Sequence, residues 1–326
     1  MAGLELICFD RANLSGNRPP QPLFIDMTQT GDNRFLFGFI GIVGPPNSGK
    51  STLLNRIMGE KVAITSPKPQ TTRNCILGIY NGKGCQMAFL DTPGIHKAIT
   101  PLHNSMVSSA RGALSRVDMI VFVIDISRPY DPQILPILKD VKESGKPVIL
   151  LVNKIDMRPK RDILAILDHY ARQYSFDEMI PISSLRGEGV DILLDILIKK
   201  IKPGPQFFPE DMTSDQSESF LVSEVIREKV YMNTGKEIPY SSAVTVENMK
   251  EVPEKGLLYI SATIHVESGS QKAIMVGNKG RKIKKIGEAS RFELEEMLGS
   301  RIYLELFVRV DKDWSRDTRA LRRLGY

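Results

Sequence analysis

Three cysteines in 326 residues, Cys8, Cys75 and Cys85, exclude two classes of protein at once. Their number is odd and their spacing fits no metal-ligand pattern, so neither a disulfide framework nor a cysteine-built zinc site is expected. A reduced, intracellular compartment is the simple reading. Long hydrophobic runs are missing too: no stretch approaches the ~18 apolar residues of a membrane-spanning helix. The N-terminus lacks a basic start, and Asp10 and Arg11 break its apolar stretch, so it does not read as a secretory signal. Nor does one sign of charge dominate, with 44 Lys and Arg against 38 Asp and Glu, a formal net charge of +6. The excess is uneven, because residues 219–326 hold 19 Lys and Arg against 15 Asp and Glu. An anionic partner for the C-terminal third would explain that bias, and so would a solvated basic face. A hydrophobic fraction of 42% at this length suits about two ordinary cores.

What is present centres on eight residues, GPPNSGKS at 44–51, which match the phosphate-cradling pattern G-x-x-x-x-G-K-[ST] in full. Residues 39–43 read as a short buried strand before it, and residues 52–58 as the first turns of a helix after it. In such a loop backbone N–H groups face an anion, and the helix N-terminus adds partial positive charge. Lys50 would reach the outer phosphates and the Ser51 hydroxyl would sit on Mg²⁺. Upstream, residues 1–34 with the polar stretch SGNRPPQP at 15–22 are expected to form a flexible leader.

Downstream, residues 61–73 form a hydroxyl-bearing loop in which Pro67 and Pro69 block regular helix. Residues 75–80 and 85–90 read as strands joined by the turn at 81–84. The second strand ends at DTPG, residues 91–94. A hydroxyl-bearing loop and an Asp at a strand end, both following a phosphate loop, are the parts that hold Mg²⁺ and sense the terminal phosphate. Residues 119–125 and 147–152 are near-continuous apolar runs, as strands buried on both faces should be. A helix is expected between them over 132–144. The second run ends at NKID, residues 153–156, where Asp156 could accept two hydrogen bonds from the N–H groups on guanine's edge. A last short strand at 179–182 ends at Ser183-Ser184-Leu185, whose backbone N–H groups could reach the base carbonyl. A helix over 191–200 closes the domain. Alternating strands and helices argue a mostly parallel sheet covered on both faces. Ligands in such sheets bind beyond the carboxyl ends of strands, where all these motifs lie.

Residues 203–215 are polar and proline-bearing, as a linker should be. The rest is expected to run as a helix at 220–231, strands at 242–249 and 257–267, and a short helix at 272–276. Then come Gly277-Asn278-Lys279-Gly280 and a basic helix opening with Arg281, Lys282, Lys284 and Lys285, interrupted by Gly287. A strand at 302–310 and a basic tail helix at 313–324 finish the chain. This is the element order of a type II KH domain, whose GxxG loop clamps about four nucleotides of single-stranded nucleic acid.

GPPNSGKST, QTTR (70–73), DTPG, NKID and the Ser183-Ser184 stretch stand where small guanine-nucleotide-binding proteins have their five nucleotide motifs. PEDM at 209–212, REKVYMNTGKEIPYS at 227–241 and the terminal RALRRLGY extend the likeness. From about residue 36 to its end the chain resembles the Era family of ribosome-assembly GTPases. The resemblance implies an α/β P-loop GTPase domain, a mostly parallel sheet flanked by helices, followed by a smaller α+β type II KH domain. It divides the chain into 1–34 leader, 35–203 GTPase domain, 204–218 linker and 219–326 KH domain.

It also implies the sites. GTP or GDP would be held by Gly44, Pro45, Pro46, Asn47, Ser48, Gly49, Lys50, Ser51 and Thr52, by Asp91, Thr92, Pro93, Gly94 and Ile95, and by Asn153, Lys154, Ile155, Asp156, Ser183, Ser184 and Leu185. Mg²⁺ would sit on Ser51, Thr72 and Asp91, with Thr71 the alternative to Thr72. Lys50, Thr72 and Gly94 would form the catalytic set. RNA would meet Gly277, Asn278, Lys279, Gly280, Arg281, Lys282, Lys284 and Lys285. The implied partner is the 3′ end of 16S ribosomal RNA in the small (30S) subunit, bound by a cytoplasmic monomer, with peripheral contact at the inner membrane as a further expectation.

Where many GTPases place a water-orienting Gln, this chain has Ile95, which can neither orient nor deprotonate water, so intrinsic hydrolysis should be slow. Asn47 leaves two readings open: related proteins with Asn there can bind K⁺ beside the phosphates, or the side chain braces the loop. His96 reads as a solvated loop residue rather than a base. Two other classes stay in view, a membrane- or protein-associated regulator whose KH-like part is an interaction module, and an ATP-using kinase or transferase, against which NKID argues.

Overall fold

The structure is a computed structural model and describes residues 35–94 and 100–326. The expected leader and the readings of Ile95 and His96 lie outside the described residues. Strand β1 (Leu36–Val43) feeds helix α1 (Lys50–Met58), and β2 (Ile76–Gly82) turns back into β3 (Cys85–Asp91). There follow α2 (Pro101–Arg116), β4 (Met119–Asp125), α3 (Ile134–Glu143), β5 (Val148–Asn153), α4 (Lys160–Ala171), β6 (Glu178–Pro181) and α5 (Val190–Lys200). The sheet order is β2-β3-β1-β4-β5-β6, and the two-residue β7 (Lys202–Pro203) adds to β1. Pairing is parallel except where β2 meets β3 and β7 meets β1.

Every residue of β5 is buried. A strand covered on both faces cannot alternate polar with apolar, which is why it reads as an unbroken apolar run. Leu53, Leu54 and Ile57 of α1 and Leu193 and Leu197 of α5 cover one face. Ala110 and Leu114 of α2, Ile137 and Val141 of α3, and Ile163 and Ile166 of α4 cover the other. Helices α2 and α4 were not among the sequence expectations. The signal for α2 was present: Thr100 caps it by accepting from the His103 N–H at 3.3 Å, and Pro101 opens the first turn.

Residues 204–217 run along the sheet edge rather than hanging free. Gln86, fully buried, accepts from the N–H groups of Phe207 and Phe208 at 3.0 and 2.9 Å. The Phe207 ring packs 4.3 Å from that of Phe37, and Ile79 N–H donates to the Thr213 carbonyl at 2.8 Å.

The second sheet has the order β10-β9-β8, from β8 (Ala243–Val252), β9 (Leu257–Val266) and β10 (Ile302–Val310). As expected, β8 and β9 are antiparallel, while β9 and β10 are parallel. One sheet face packs on α6 (Glu218–Asn233), α7 (Gly269–Val276) and α8 (Arg281–Leu298) through Val222, Ile226, Met275, Ile286 and Leu294. Gly287 does not interrupt α8, which is one continuous helix. Glycine in a helix costs only about 1 kcal/mol against alanine, and the buried Ile286, Ser290 and Leu294 outweigh it. The tail is a short 3₁₀ turn at Trp314–Arg316 and helix α9 (Thr318–Arg323), rather than one helix. Trp314, Leu321 and Leu324 pack on Leu102 and Met106 of α2, which joins both lobes in the compact unit Phe35–Tyr326.

Candidate nucleotide site and nucleic-acid interface

The phosphate-type loop connects β1 to α1 through a backbone only glycine suits. Gly49 has φ +99°, and a Cβ there would lie 2.2 Å from Asn153 Nδ2. Over the loop lies a cavity of about 320 Å³. Its walls include Pro46, Asn47, Lys50, Ser51, Thr52, Thr65, Ser66, Thr71, Thr72, Gly94, Asp125 and Lys154. Lys50 is buried, and its Nζ donates to the carbonyls of Gly44 at 3.0 Å and Pro45 at 2.9 Å. Desolvation lowers its pKa to about 8, against the opposing pull of Asp91. Gly94 packs against Pro46, where a Cβ would approach the Pro46 ring to 2.9 Å.

Beside Lys50, three side chains converge. Ser51 Oγ donates to Asp91 Oδ2 at 2.6 Å and lies 2.8 Å from Thr72 Oγ1, which is 3.5 Å from the same carboxylate oxygen. Asp91 is fully buried, its Oδ1 has no hydrogen-bond partner, and desolvation raises its pKa to about 6. An orphaned, desolvated carboxylate oxygen next to two hydroxyls is a donor set that fits a hard cation such as Mg²⁺. Thr71 does not join this cluster. Its Oγ1 donates to the Lys68 carbonyl at 2.8 Å and lies 2.8 Å from Ser66 Oγ. Thr92 Oγ1 donates to the Ile42 carbonyl at 2.9 Å, within the β1–β3 join. Asn47, with φ +62°, donates from Nδ2 to the Pro67 carbonyl at 2.8 Å, which is a bracing contact.

The NKID residues divide their work. Asn153, buried, ties two loops together: Nδ2 donates to the Ser48 carbonyl at 2.7 Å, and Oδ1 accepts from the Ser184 N–H at 2.9 Å and hydroxyl at 3.0 Å. Lys154 Nζ bonds the Asn47 carbonyl and Asp125 Oδ2, both at 2.7 Å. Asp156 accepts from Ser183 Oγ at 2.6 Å and does not line the cavity over the phosphate loop. The Ile155 N–H donates to the Ile182 carbonyl at 3.2 Å. In the following loop the N–H groups of Ser183, Ser184, Arg186 and Gly187 are taken by internal acceptors. That narrows the expected run of donors toward a base to Leu185, whose side chain is exposed.

At the other site, Gly277 (φ +72°) and Gly280 (φ +75°) bracket Asn278 and Lys279 between α7 and α8. A Cβ on Gly277 would meet Lys282 Cβ at 2.8 Å, so backbone approaches side chain closely there. Asn278, Lys279, Arg281, Lys284 and Lys285 are exposed, while Lys282 is half-buried.

Two families match this chain by sequence: one described as "50S ribosome-binding GTPase" over residues 39–154, and the KH domain over residues 237–315. "GTPase Era" of Syntrophus aciditrophicus is 52% identical over 292 residues, covering 90% of this chain and 95% of that protein. The chain belongs to the Era family of GTPases. Its enzymatic activity is therefore GTP hydrolysis. "GTPase Era" of Geobacter metallireducens is 48% identical, covering 90% of this chain and 99% of its own. A solved variant of Aquifex aeolicus Era bound to GDP·AlF4⁻ superposes with a TM-score of 0.86 at 40% identity, covering 89% of this chain and 99% of that one. Era in complex with MgGDPNP and nucleotides 1506–1542 of 16S ribosomal RNA superposes with a TM-score of 0.87 at 39% identity, covering 90% and 99%.

The Era-type motifs did not point to the contacts that hold their own loops. Asn55 Oδ1 accepts from the N–H groups of Val62 and Ala63 at 3.1 and 2.9 Å, pinning the start of the threonine loop. Arg56 bonds the carbonyls of Ser184 and Leu185. Both sit on α1 just past the phosphate loop, and helical spacing alone does not distinguish them from solvated polar residues.

Proposed function

We propose that this chain is a GTP-driven switch that binds the 3′ end of 16S ribosomal RNA and assists assembly and maturation of the small (30S) subunit. The observation that carries the reading is the Ser51–Thr72–Asp91 cluster beside the phosphate loop, in the same compact unit as an exposed GNKG loop. An Era structure described with MgGDPNP and a 16S ribosomal RNA segment supports it. The division into a GTPase domain at 35–203, a connecting segment at 204–218 and a KH domain at 219–326 belongs to the same proposal.

Residues 44–52 cradle the phosphates, Pro45 and Pro46 by shaping the loop and the other residues through backbone N–H groups. Lys50 leaves the Gly44 and Pro45 carbonyls to meet the outer phosphates. Ser51, Thr72 and Asp91 would hold Mg²⁺, which when bound would neutralise the phosphate charge. Gly94 senses the terminal phosphate from beside Pro46. Asp156 and the Leu185 N–H read guanine, while Asn153 and Lys154 fix the two loops around it. Excess ATP should not displace GTP; equal competition would remove the guanine reading. Potassium would enter only if the Asn47 amide left Pro67. Turnover compared in K⁺ and Na⁺ at equal ionic strength decides this, and equal rates leave Asn47 as a brace.

Asn278 and Lys279 with Arg281, Lys284 and Lys285 position RNA backbone, and neighbouring apolar residues and base edges supply selectivity. The protein acts as a cytoplasmic monomer. Peripheral contact with the inner membrane is a further part of the reading, tested by liposome flotation against ribosome co-sedimentation. No helix among the described residues is long and apolar enough to cross a membrane. The deciding experiment sequences RNA crosslinked in cells to the GTP-loaded protein and to the Asn278→Asp/Lys279→Asp variant. Enrichment of the 16S 3′ end that the variant loses is the expected result, and undiminished crosslinking by the variant refutes the GNKG clamp.

A further inference from the structure

The threonine loop ends in Arg73, and this side chain turns away from the nucleotide cavity. The residue is 4% exposed, and its guanidinium lies in a socket built by the C-terminal lobe. Nη1 donates to the Ser242 carbonyl at 2.8 Å and to the Tyr326 hydroxyl at 3.2 Å. Nη2 donates to the carbonyls of Pro239 and Tyr240 and to the Tyr231 hydroxyl at 3.0–3.1 Å. The rings of Tyr326, Trp314 and Tyr231 lie 5.2, 5.7 and 6.0 Å from its central carbon. An arginine suits this place because its planar fork donates in several directions while its faces stack on rings.

Two residues earlier stands a second anchor. Arg227 of α6 is wholly buried, donates from Nε and Nη2 to the two carboxylate oxygens of Glu224, both at 2.6 Å, and donates from Nη2 to the Thr71 carbonyl. The Tyr231 hydroxyl adds a bond to the Gln70 carbonyl at 3.1 Å. Thr72 therefore sits between two anchored neighbours, each fixed by residues more than 150 positions away in sequence. Consecutive Cα atoms are about 3.8 Å apart and the peptide between them is planar. With only one residue free between the anchors, the chain has little slack, so a shift of α6 or the tail is passed to Thr72 Oγ1. A misplacement of about 1 Å at a reacting site can cost about 100-fold in rate.

We propose that Arg73 and Arg227 are positioning residues for the metal site: the C-terminal lobe, through its Tyr231–Trp314–Tyr326 socket and the Arg227–Thr71 bond, holds Thr72 against Ser51 and Asp91. This deepens the proposed function and rests on Thr72 being a Mg²⁺ ligand. It makes the RNA-facing lobe part of the scaffold of the metal site. By linkage, anything that displaces that lobe weakens Mg²⁺ binding, and Mg²⁺ binding favours the docked lobe by the same factor. Plain interdomain adhesion is the competing account. It predicts a lower melting temperature on losing the socket, with no change in metal affinity.

The test is a Mg²⁺ titration of the full chain loaded with a fluorescent, non-hydrolysable GTP analogue, reading the Mg²⁺ concentration at half-maximal signal, with thermal melting in parallel. Arg73→Ala and Tyr326→Ala should each raise that concentration about tenfold. Tyr326→Phe, which keeps the ring, should stay within about threefold of the parent. Thr72→Ala is the control for the underlying reading. If Thr72→Ala leaves the half-point unmoved, Thr72 is not a ligand and this inference falls with it. If Thr72→Ala moves it but Arg73→Ala and Tyr326→Ala only lower the melting temperature, the socket is adhesive and the inference alone is overturned. Should Arg73→Ala fail to fold, Tyr326→Ala decides the matter.

Discussion

Ser51 Oγ and Thr72 Oγ1 lie 2.8 Å apart although they stand 21 positions apart in sequence, and both face the same Asp91 oxygen. The loop between them is held from its other side, so the contact is a product of the fold rather than of local sequence. The hydroxyl of its neighbour Thr71 bonds only to Ser66 and Lys68 of their own loop. Thr72→Ala should therefore lower single-turnover GTP hydrolysis by about 10- to 100-fold, the scale seen when support of a metal site is lost. Thr71→Ala should cost less than about threefold. Equal losses in a single-turnover assay would mean that the two hydroxyls exchange places.

The pH dependence follows from Asp91 and Lys50. Burial lifts Asp91 from 3.8 to about 6, so between those values the folded site keeps a proton that the unfolded chain has released. Its contribution to stability of the nucleotide-free protein is then greatest in acid and falls as pH rises through that window. Lys50 is lowered from 10.5 to about 8, so its contribution rises from about pH 8 to 10.5, where the unfolded chain holds the extra proton. Between pH 6 and 8 both groups are charged and both oppose folding, a cost that a metal and nucleotide bound beside them would relieve. Metal binding needs the ionised carboxylate. Mg²⁺ affinity should thus fall about tenfold per pH unit below about 6. A flat Mg²⁺ titration between pH 7.5 and 5 would show that Asp91 is not the ligating carboxylate.

Much of this architecture was legible in the sequence because each motif had an unambiguous neighbour. The apolar runs before DTPG and NKID read as strands, and the motifs fell at their ends, where parallel sheets bind ligands. GNKG was legible through its glycines, both of which adopt positive φ. Other features had no local signature. The amide of Asn153 ties Ser48 to Ser184, 105 and 31 residues away, and nothing in NKID distinguishes a tie from a base contact. Gly287 looked like a break because propensity was weighed without the core that holds α8. Arg73 stands in the QTTR stretch, but its partners lie at 231, 239, 240, 242 and 326, beyond the reach of any periodicity.

The Asn153 tie has a measurable strength. Replacing it with alanine would leave the Ser48 carbonyl and the Ser184 N–H without that partner in a buried setting. Each orphaned group costs about 1–3 kcal/mol. Asn153→Ala should therefore destabilise the protein by about 2–5 kcal/mol by denaturant unfolding, two such groups partly relaxed. It should weaken GDP and GTP to the same degree, since the tie precedes any contact with the terminal phosphate. A loss confined to GTP would place Asn153 at the phosphate end instead.

The GNKG face gives a prediction that separates charge from shape. Lys284 and Lys285 are exposed on the first turns of α8, and the 3.9 Å contact between Lys284 and Glu288 is a surface pair of little energetic consequence. Lys282 is half-buried and lies against Gly277. If Lys284 and Lys285 each neutralise one phosphate, removing both should lower the slope of log affinity against log salt by about 1.4, at about 0.7 per phosphate on single strands. The loss should be uniform across RNA sequences, because phosphate contacts position a strand without reading it. Asn278→Asp/Lys279→Asp acts differently, since it puts like charge where backbone must pass and should abolish binding at every salt concentration. Fluorescence anisotropy with a 16S 3′-end oligonucleotide and a scrambled one, across a KCl series, distinguishes these outcomes. A Lys284→Ala/Lys285→Ala variant with unchanged slope would move the phosphate path off the first turns of α8.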